Sequence, residues 1–178
     1  SIEEQGKLTP ELRAQIESAE TMVLVDDLYR PYRPKRKTRA TVAKDKGLEG
    51  LANIISLQMT STPIRTEAEK YVSTEKGVET VDDAIAGAMD IIAENISDTA
   101  DYRTKIRDLT TKKGFINTTA KDPDAESVYE MYYNFSAPIS KMTGYRTLAV
   151  NRGEKEKFIT VKIEAPVDEI ISYLRKKI

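Results

Sequence analysis

Residues 80–95 read TVDDAIAGAMDIIAEN. Threonine is a favoured N-cap, and Asp82 and Asp83 follow in the first turn, where carboxylates complement the helix macrodipole. Ile85, Ala88, Met89 and Ile92 recur at helical spacing and form one apolar stripe. Gly87, one position before Ala88, leaves room for close contact with another helix. The spacing predicts a helix over 81–95, the strongest in the chain, and sets the fold class as mainly α.

The same grammar extends upstream. Thr9 and Pro10 are an N-cap and a first-position proline, and Leu12 and Ile16 share a face of the helix that follows. Thr21 caps a second short helix carrying Met22, Val25, Leu28 and Tyr29. Thr38 caps a third, which ends before Gly47, a candidate left-handed C-cap. Leu48, Leu51, Ile55 and Met59 mark a fourth, and residues 66–72 a short fifth.

Downstream, Ser97 is a candidate cap for a helix over 98–113 with Tyr102, Ile106 and Leu109 as its stripe, basic residues in its last turns and Gly114 after it. Residues 115–119 then read as a short strand and 121–124 as a turn. The stretch 126–135, with Tyr129, Tyr132, Tyr133 and Phe135, is compatible with helix or extended chain. Such a density of tyrosines is more often half-buried core than a base-stacking platform. Residues 139–157 read as helical after Pro138, interrupted by Gly144 and Gly153. Residues 158–163 alternate as a strand, and 167–177 close as a helix. The expected architecture is a multi-helix array with at most a short two-stranded β element near the C-terminal third. Capped helices occupy 1–113, and the aromatic segment, a helix, a strand and a terminal helix occupy 114–178.

Composition removes most chemistry. The 178 residues contain no cysteine and no histidine. Thiolate catalysis, Ser-His and Cys-His triads, and histidine or cysteine metal sites are therefore excluded. The paired carboxylates Asp26 with Asp27, Asp82 with Asp83, and Asp122 with Asp124 have simpler readings as charge balance, helix start and turn. Gly47-Leu48-Glu49-Gly50 lacks the lysine and the preceding strand of a phosphate loop. The reading is no enzyme, no metal and no cofactor. No apolar run approaches the roughly 18 residues of a membrane span, and the polar start SIEEQGKL is no signal peptide. A cytoplasmic piece of a longer protein is expected, with no membrane partner.

One feature departs from the near-neutral background of 28 basic and 29 acidic residues. Residues 30–39 read RPYRPKRKTR, placing Arg30, Arg33, Lys35, Arg36, Lys37 and Arg39 in ten positions without an acid. Pro31 and Pro34 are expected to hold the run extended. Tyr29 and Tyr32 either stack on bases or anchor the run to the core. The run is either a loop paired with acids of its own chain or a phosphate contact driven by counterion release. Arg30 and Arg33 lie near Asp26 and Asp27, and at least one is expected to be a structural ion-pair partner. Arg146 and Arg152 are further candidates for phosphate contact, although Arg152 also sits among Glu154, Lys155 and Glu156 as a helix-surface pair.

Three stretches together resemble the Tex family of bacterial transcription accessory proteins: SIEEQGKLTPELRAQIESAET leading into DDLYRPYRPKRKTRATVAKDKGLEGLA, then YEMYYNFSAPISKM, then YRTLAVNRGEKEKF with ITVKIEAP. The resemblance covers nearly the whole chain. It implies a long multidomain cytoplasmic protein that binds nucleic acid and acts with transcription, resembling the eukaryotic elongation factor and histone chaperone of the same architecture. It also implies a helical N-terminal region, an RNase H-like domain, helix-hairpin-helix elements and an RNA-binding OB fold. The present residues match the helical part preceding the RNase H-like domain. One departure is that the family often has Pro-Ser-His-Arg where this chain has Thr143, Gly144, Tyr145 and Arg146, so no histidine role carries over. The expected function is a helical scaffold with auxiliary phosphate contact through 30–39. The alternative is a docking module for a protein such as RNA polymerase.

Overall fold

The computed structural model describes residues 1–34 and 36–178; Lys35 lies outside the described residues. The chain forms two compact units, Ser1–Arg103 and Thr104–Ile178. The described residues form α1 (Pro10–Glu17), α2 (Met22–Tyr29), α3 (Arg39–Asp45), α4 (Glu49–Leu57), α5 (Ile64–Glu69), α6 (Val81–Asp98), α7 (Ala100–Lys113), β1 (Phe115–Ala120), β2 (Asn134–Pro138), α8 (Gly144–Lys155), β3 (Ile159–Glu164) and α9 (Val167–Arg175). The mainly α class is observed. Among the described residues no helix is long and apolar enough to cross a membrane.

Threonine hydroxyls cap four of the helices. The hydroxyls of Thr9, Thr21, Thr38 and Thr80 accept the amides of Leu12, Leu24, Thr41 and Asp83, satisfying donors that the first helical turn leaves open. At α6 the Asp83 carboxylate returns the bond to the Thr80 amide, closing a capping box.

The first unit is organised around α6, which packs against α3, α4 and α5. Gly47 ends α3 with φ +82°. Its amide bonds the Lys44 carbonyl, and the Leu48 amide bonds the Ala43 carbonyl, which together make a Schellman cap. That reversal delivers Leu48 into the core at 1% exposure. There it meets Gly87, where a Cβ would stand 2.3 Å from Leu48 Cδ1. The expected close helix contact at Gly87 is present, and the partner is Leu48.

The buried stripe of α6 differs from the expected one. Ala84, Ala88 and Ile91 are buried, Ile85 and Ile92 flank them, and Met89 is 60% exposed. Close helix approach selects the small side chains, so the stripe is centred where size is least rather than where hydrophobicity is greatest. Similarly, Met59 is 85% exposed, because α4 stops at Leu57 with Gln58 left-handed at φ 50°.

Ser97 does not cap α7. Helix α6 runs on to Asp98, Thr99 is extended, and the Thr99 hydroxyl donates to the Asn95 carbonyl. Asp98 is drawn away by Arg30, so the acid expected in the first turn of α7 serves as an ion-pair partner.

At the end of α5, Lys70 Nζ donates to Glu67 Oε2 at 2.7 Å. This bond, with a smaller one from Thr62, holds the Glu67 carboxyl below its ordinary range against the opposing effect of burial. A folded value below the unfolded one stabilises the fold fully above the ordinary glutamate range. That stability is lost as pH falls through the lowered folded value. The stability gap between the parent and Glu67→Gln should therefore be flat near neutrality and close on acidification. Urea midpoints measured across that window check it, and a gap independent of pH contradicts the pairing.

In the second unit β1 is central, with order β2-β1-β3 and both pairings antiparallel. The β element thus has three strands rather than two, because Asn134–Pro138 pairs with β1. Ile116, Thr118, Phe135, Ala137, Ile159 and Val161 share the covered face, and α8 packs on it through Val150 and Gly153. The aromatic stretch divides: a 3₁₀ turn over Glu130–Tyr132 buries Tyr132, and Phe135 enters β2. Tyr129 and Tyr132 are buried, as core tyrosines are. The expected helix over 139–157 is also divided. A 3₁₀ turn takes Ile139–Lys141, Met142 and Thr143 are extended, and Gly144 begins α8 rather than interrupting it.

Candidate nucleic-acid interface

The basic run leaves the end of α2 through a 3₁₀ turn over Arg30–Tyr32. Pro31 sits in the first positions of that turn, where its missing donor costs nothing. The run is therefore turned at its start rather than extended throughout. Arg33 returns to extended geometry. Tyr29 and Tyr32 anchor it: the Tyr29 hydroxyl bonds Ser1 Oγ at 2.9 Å, and Gln5 Nε2 donates to the Tyr32 carbonyl at 2.9 Å.

Three arginines of the run meet acids of their own unit. Arg30 Nε lies 2.9 Å from Asp98 Oδ1, with the aspartate side chain only 11% exposed. Arg33 reaches Asp26 at 3.2 Å and lies 5.6 Å over the Tyr29 ring. Arg39 Nε lies 3.5 Å from Asp90 Oδ1 and stays 88% exposed. Asp27 is buried and takes Arg103 at 2.6 Å. Arg36 and Lys37 are exposed and make no ion pair among the described residues. The candidate at Lys35 lies outside those residues.

A cleft of about 580 Å³ separates the run from α6. Arg30, Arg33, Arg36 and Arg39 line one side, and Asp90, Glu94 and Asp98 the other. The three acids recur every four residues on one face of α6. That row was present in the sequence as a spacing, and periodicity in charge rather than in hydrophobicity would have found it.

The other two candidates lie in the second unit. Arg146 is half-buried, its Nε 3.2 Å from Tyr145 Oη and its Cζ 6.0 Å from the Phe135 ring. Arg152 is exposed on the same helix. Close by, burial and a bond to Glu156 push the Tyr129 hydroxyl above its ordinary value, while Arg152 acts the other way. The units differ in charge: 14 basic against 19 acidic residues in the first, 14 against 10 in the second. The concentrated run thus belongs to the acidic unit.

The carboxylate pairs have structural uses. Asp82 pairs with Arg65 at 2.8 Å, Asp83 closes the α6 cap, and Asp122 accepts the Asp124 amide.

The Tex central region-like family model matches residues 59–177. The uncharacterized protein YdcI of Bacillus subtilis is 49% identical over 180 residues, covering 99% of this chain and 25% of its own length. Protein tex of Bordetella pertussis is 34% identical over 171 residues, covering 94% of this chain and 21% of its own. The human S1 RNA-binding domain-containing protein 1 is 27% identical over 172 residues, covering 91% of this chain and 17% of its own. The chain spans about a quarter of the length of the first two relatives and less of the third. The family match extends over most of the chain, through the α6 hub and the whole second unit, and the chain belongs to the Tex family.

Proposed function

We propose that the chain is a non-catalytic helical scaffold within a Tex-like, nucleic-acid-binding transcription accessory protein that works in the cytoplasm. Its direct phosphate contact is auxiliary and confined to the free cations of the basic segment. The observation that carries this reading is the spending of Arg30, Arg33 and Arg39 on Asp98, Asp26 and Asp90. A segment whose guanidiniums are engaged internally holds helices together first and offers little free charge. Arg36 and Lys37 remain open to phosphate. Association with nucleic acid is supported by the names of relatives, a transcriptional accessory protein Tex and a protein with an S1 RNA-binding domain.

A docking role toward the transcription machinery, RNA polymerase included, is the second reading. It is favoured by Tyr145 and Leu148, one turn apart on α8 and 66% and 69% exposed. The test is binding of the 178-residue chain to a labelled oligonucleotide across a salt series. Two lost phosphate contacts should flatten the log–log slope of Arg36→Ala/Lys37→Ala by about 1.4 to 1.8. With magnesium present the oligonucleotide should stay intact. An unchanged slope would remove the phosphate contact and leave the docking reading. Cleavage that follows the protein through purification would overturn the non-catalytic reading.

A further inference from the structure

We propose that the α6 row of Asp90, Glu94 and Asp98 is an internal stand-in for a phosphate backbone. It holds the two ends of the basic segment, Arg30 and Arg39, and nucleic acid gains a held arginine only by displacing its carboxylate. The proposal rests on the phosphate-contact reading above and adds what sets its affinity.

The geometry is that of two antiparallel charge rows. Residues spaced by four lie on one helix face, about 6 Å apart along its axis. Arg30, at the start of the segment, pairs with Asp98 at the end of α6, and Arg39, at the far end, pairs with Asp90. Glu94 stands between them and faces the same cleft as Arg33 and Arg36. Pro34 follows Arg33 and is unsuited to a helix interior.

The two ends differ in strength. Asp98 is buried at 8% and its pair with Arg30 is partly shielded. The pair of Arg39 with Asp90 is longer and open to solvent, and such pairs are weak and screened by salt. Contact with phosphate therefore begins at Arg39, passes to Arg33 and Arg36, and leaves Arg30 on Asp98 as the hinge. Arg39 and Arg33 each trade a carboxylate for a phosphate, while Arg36, which makes no ion pair among the described residues, adds its contact without an exchange. The net gain is small while the row is intact and grows when the row is neutralised.

The experiment compares the parent chain, Asp90→Asn/Glu94→Gln, and Glu17→Gln/Glu20→Gln. The last changes net charge equally, at exposed residues of α1 and its end. Asp98 is kept because it is buried, and thermal melts confirm that each variant folds. The probe is a fluorescent single-stranded 20-mer, with a duplex and polyglutamate of matched charge in parallel. Asp90→Asn/Glu94→Gln should tighten nucleic-acid binding about two- to fivefold at low salt, the equivalent of the one solvent-accessible pair of Arg39 with Asp90. Its salt slope should steepen by about 0.7 to 0.9 for each arginine released. The Glu17→Gln/Glu20→Gln protein should show neither change.

Equal behaviour of the two double variants would overturn the proposal. If the parent binds and loses binding on Arg36→Ala/Lys37→Ala while Asp90→Asn/Glu94→Gln changes nothing, the contact reading stands and the competing row fails. Binding by neither parent nor neutralised variant rejects both. A gain for polyglutamate without a gain for the oligonucleotide would reject nucleic acid as the displacing ligand.

Discussion

Gly114→Ala should unfold the second unit at markedly lower temperature while changing a single methyl group. Gly114 joins α7 to β1. A Cβ there would stand 2.5 Å from the Thr110 carbonyl oxygen, 2.9 Å from the Glu164 carbonyl oxygen and 3.1 Å from Ile139 Cδ1. Two of the three obstacles are backbone, and neither is free to move. The Gly114 amide bonds the Thr110 carbonyl at 2.8 Å, and Glu164 is held opposite Phe115 by the sheet register. The Gly114 carbonyl also accepts the Ile139 amide at 2.9 Å, so the peptide cannot rotate away cheaply. Relief requires shifting the end of α7 or the β1–β3 pairing. Overpacking of this kind costs about 2–3 kcal/mol. In a unit of this size that lowers its transition by roughly 10–20 °C. Gly144→Ala is the matched control: nothing lies within 4 Å of its Cβ position, and α8 begins there. It should melt at or slightly above the parent temperature, since alanine is the better helix former. Thermal melts followed by near-UV circular dichroism separate the two. Equal melting of Gly114→Ala and Gly144→Ala would mean that the strand and helix ends do not approach as described.

How much of this was legible in the sequence depended on the range of the interaction. The four threonine caps, the left-handed Gly47 and the strands β1 and β3 are local, and local chemistry announces them within a few residues. Gly87 was legible as a close contact but not as a seat for Leu48, because the partner lies 39 positions away and only packing chooses it. Met89 was misplaced for a related reason. Periodicity finds a stripe, yet the position of closest approach is decided by the neighbouring helices, and they select Ala84 and Ala88. Strand β2 was hidden because Asn134–Pro138 has a weak alternation and gains its regularity from pairing with β1. The candidate interface divides in the same way. The basic run was plain as a sequence, and its nearby pair with Asp26 lay within reach of inspection. Its engagement with Asp98, 68 residues on, was not, and that engagement decides whether the charge is available.

Arg103→Met should cost the first unit about 3 kcal/mol, the low end for breaking a buried pair because Arg103 keeps 30% of its side-chain exposure. Its Nε donates to Asp27 Oδ1 at 2.6 Å, and Asp27 is 3% exposed. The lost guanidinium takes an opposite charge away from a buried carboxylate, and weakening the compensation of such a charge costs more than the pair's own net worth. Arg103 also donates to the Ser97 carbonyl at 3.3 Å, which ties the end of α6 to the same point. The neighbouring pair of Arg30 with Asp98 lies at the same junction, so two arginines fix where the basic segment leaves α2. The expected fall in melting temperature is roughly 10–20 °C. Asp27→Leu/Arg103→Met should lose less than the sum of the two single variants, since removing both charges removes the desolvation problem together with the pair. Arg33→Ala supplies the contrast: its pair with Asp26 is exposed on both sides, at 54% and 65%, and such pairs are worth about 0–1 kcal/mol. Strict additivity in the Asp27–Arg103 cycle, or a melting temperature for Arg103→Met no lower than that of Arg33→Ala, would place the anchoring of the segment in apolar packing instead. In that case neutralising the α6 row should free the segment without loosening the fold around it.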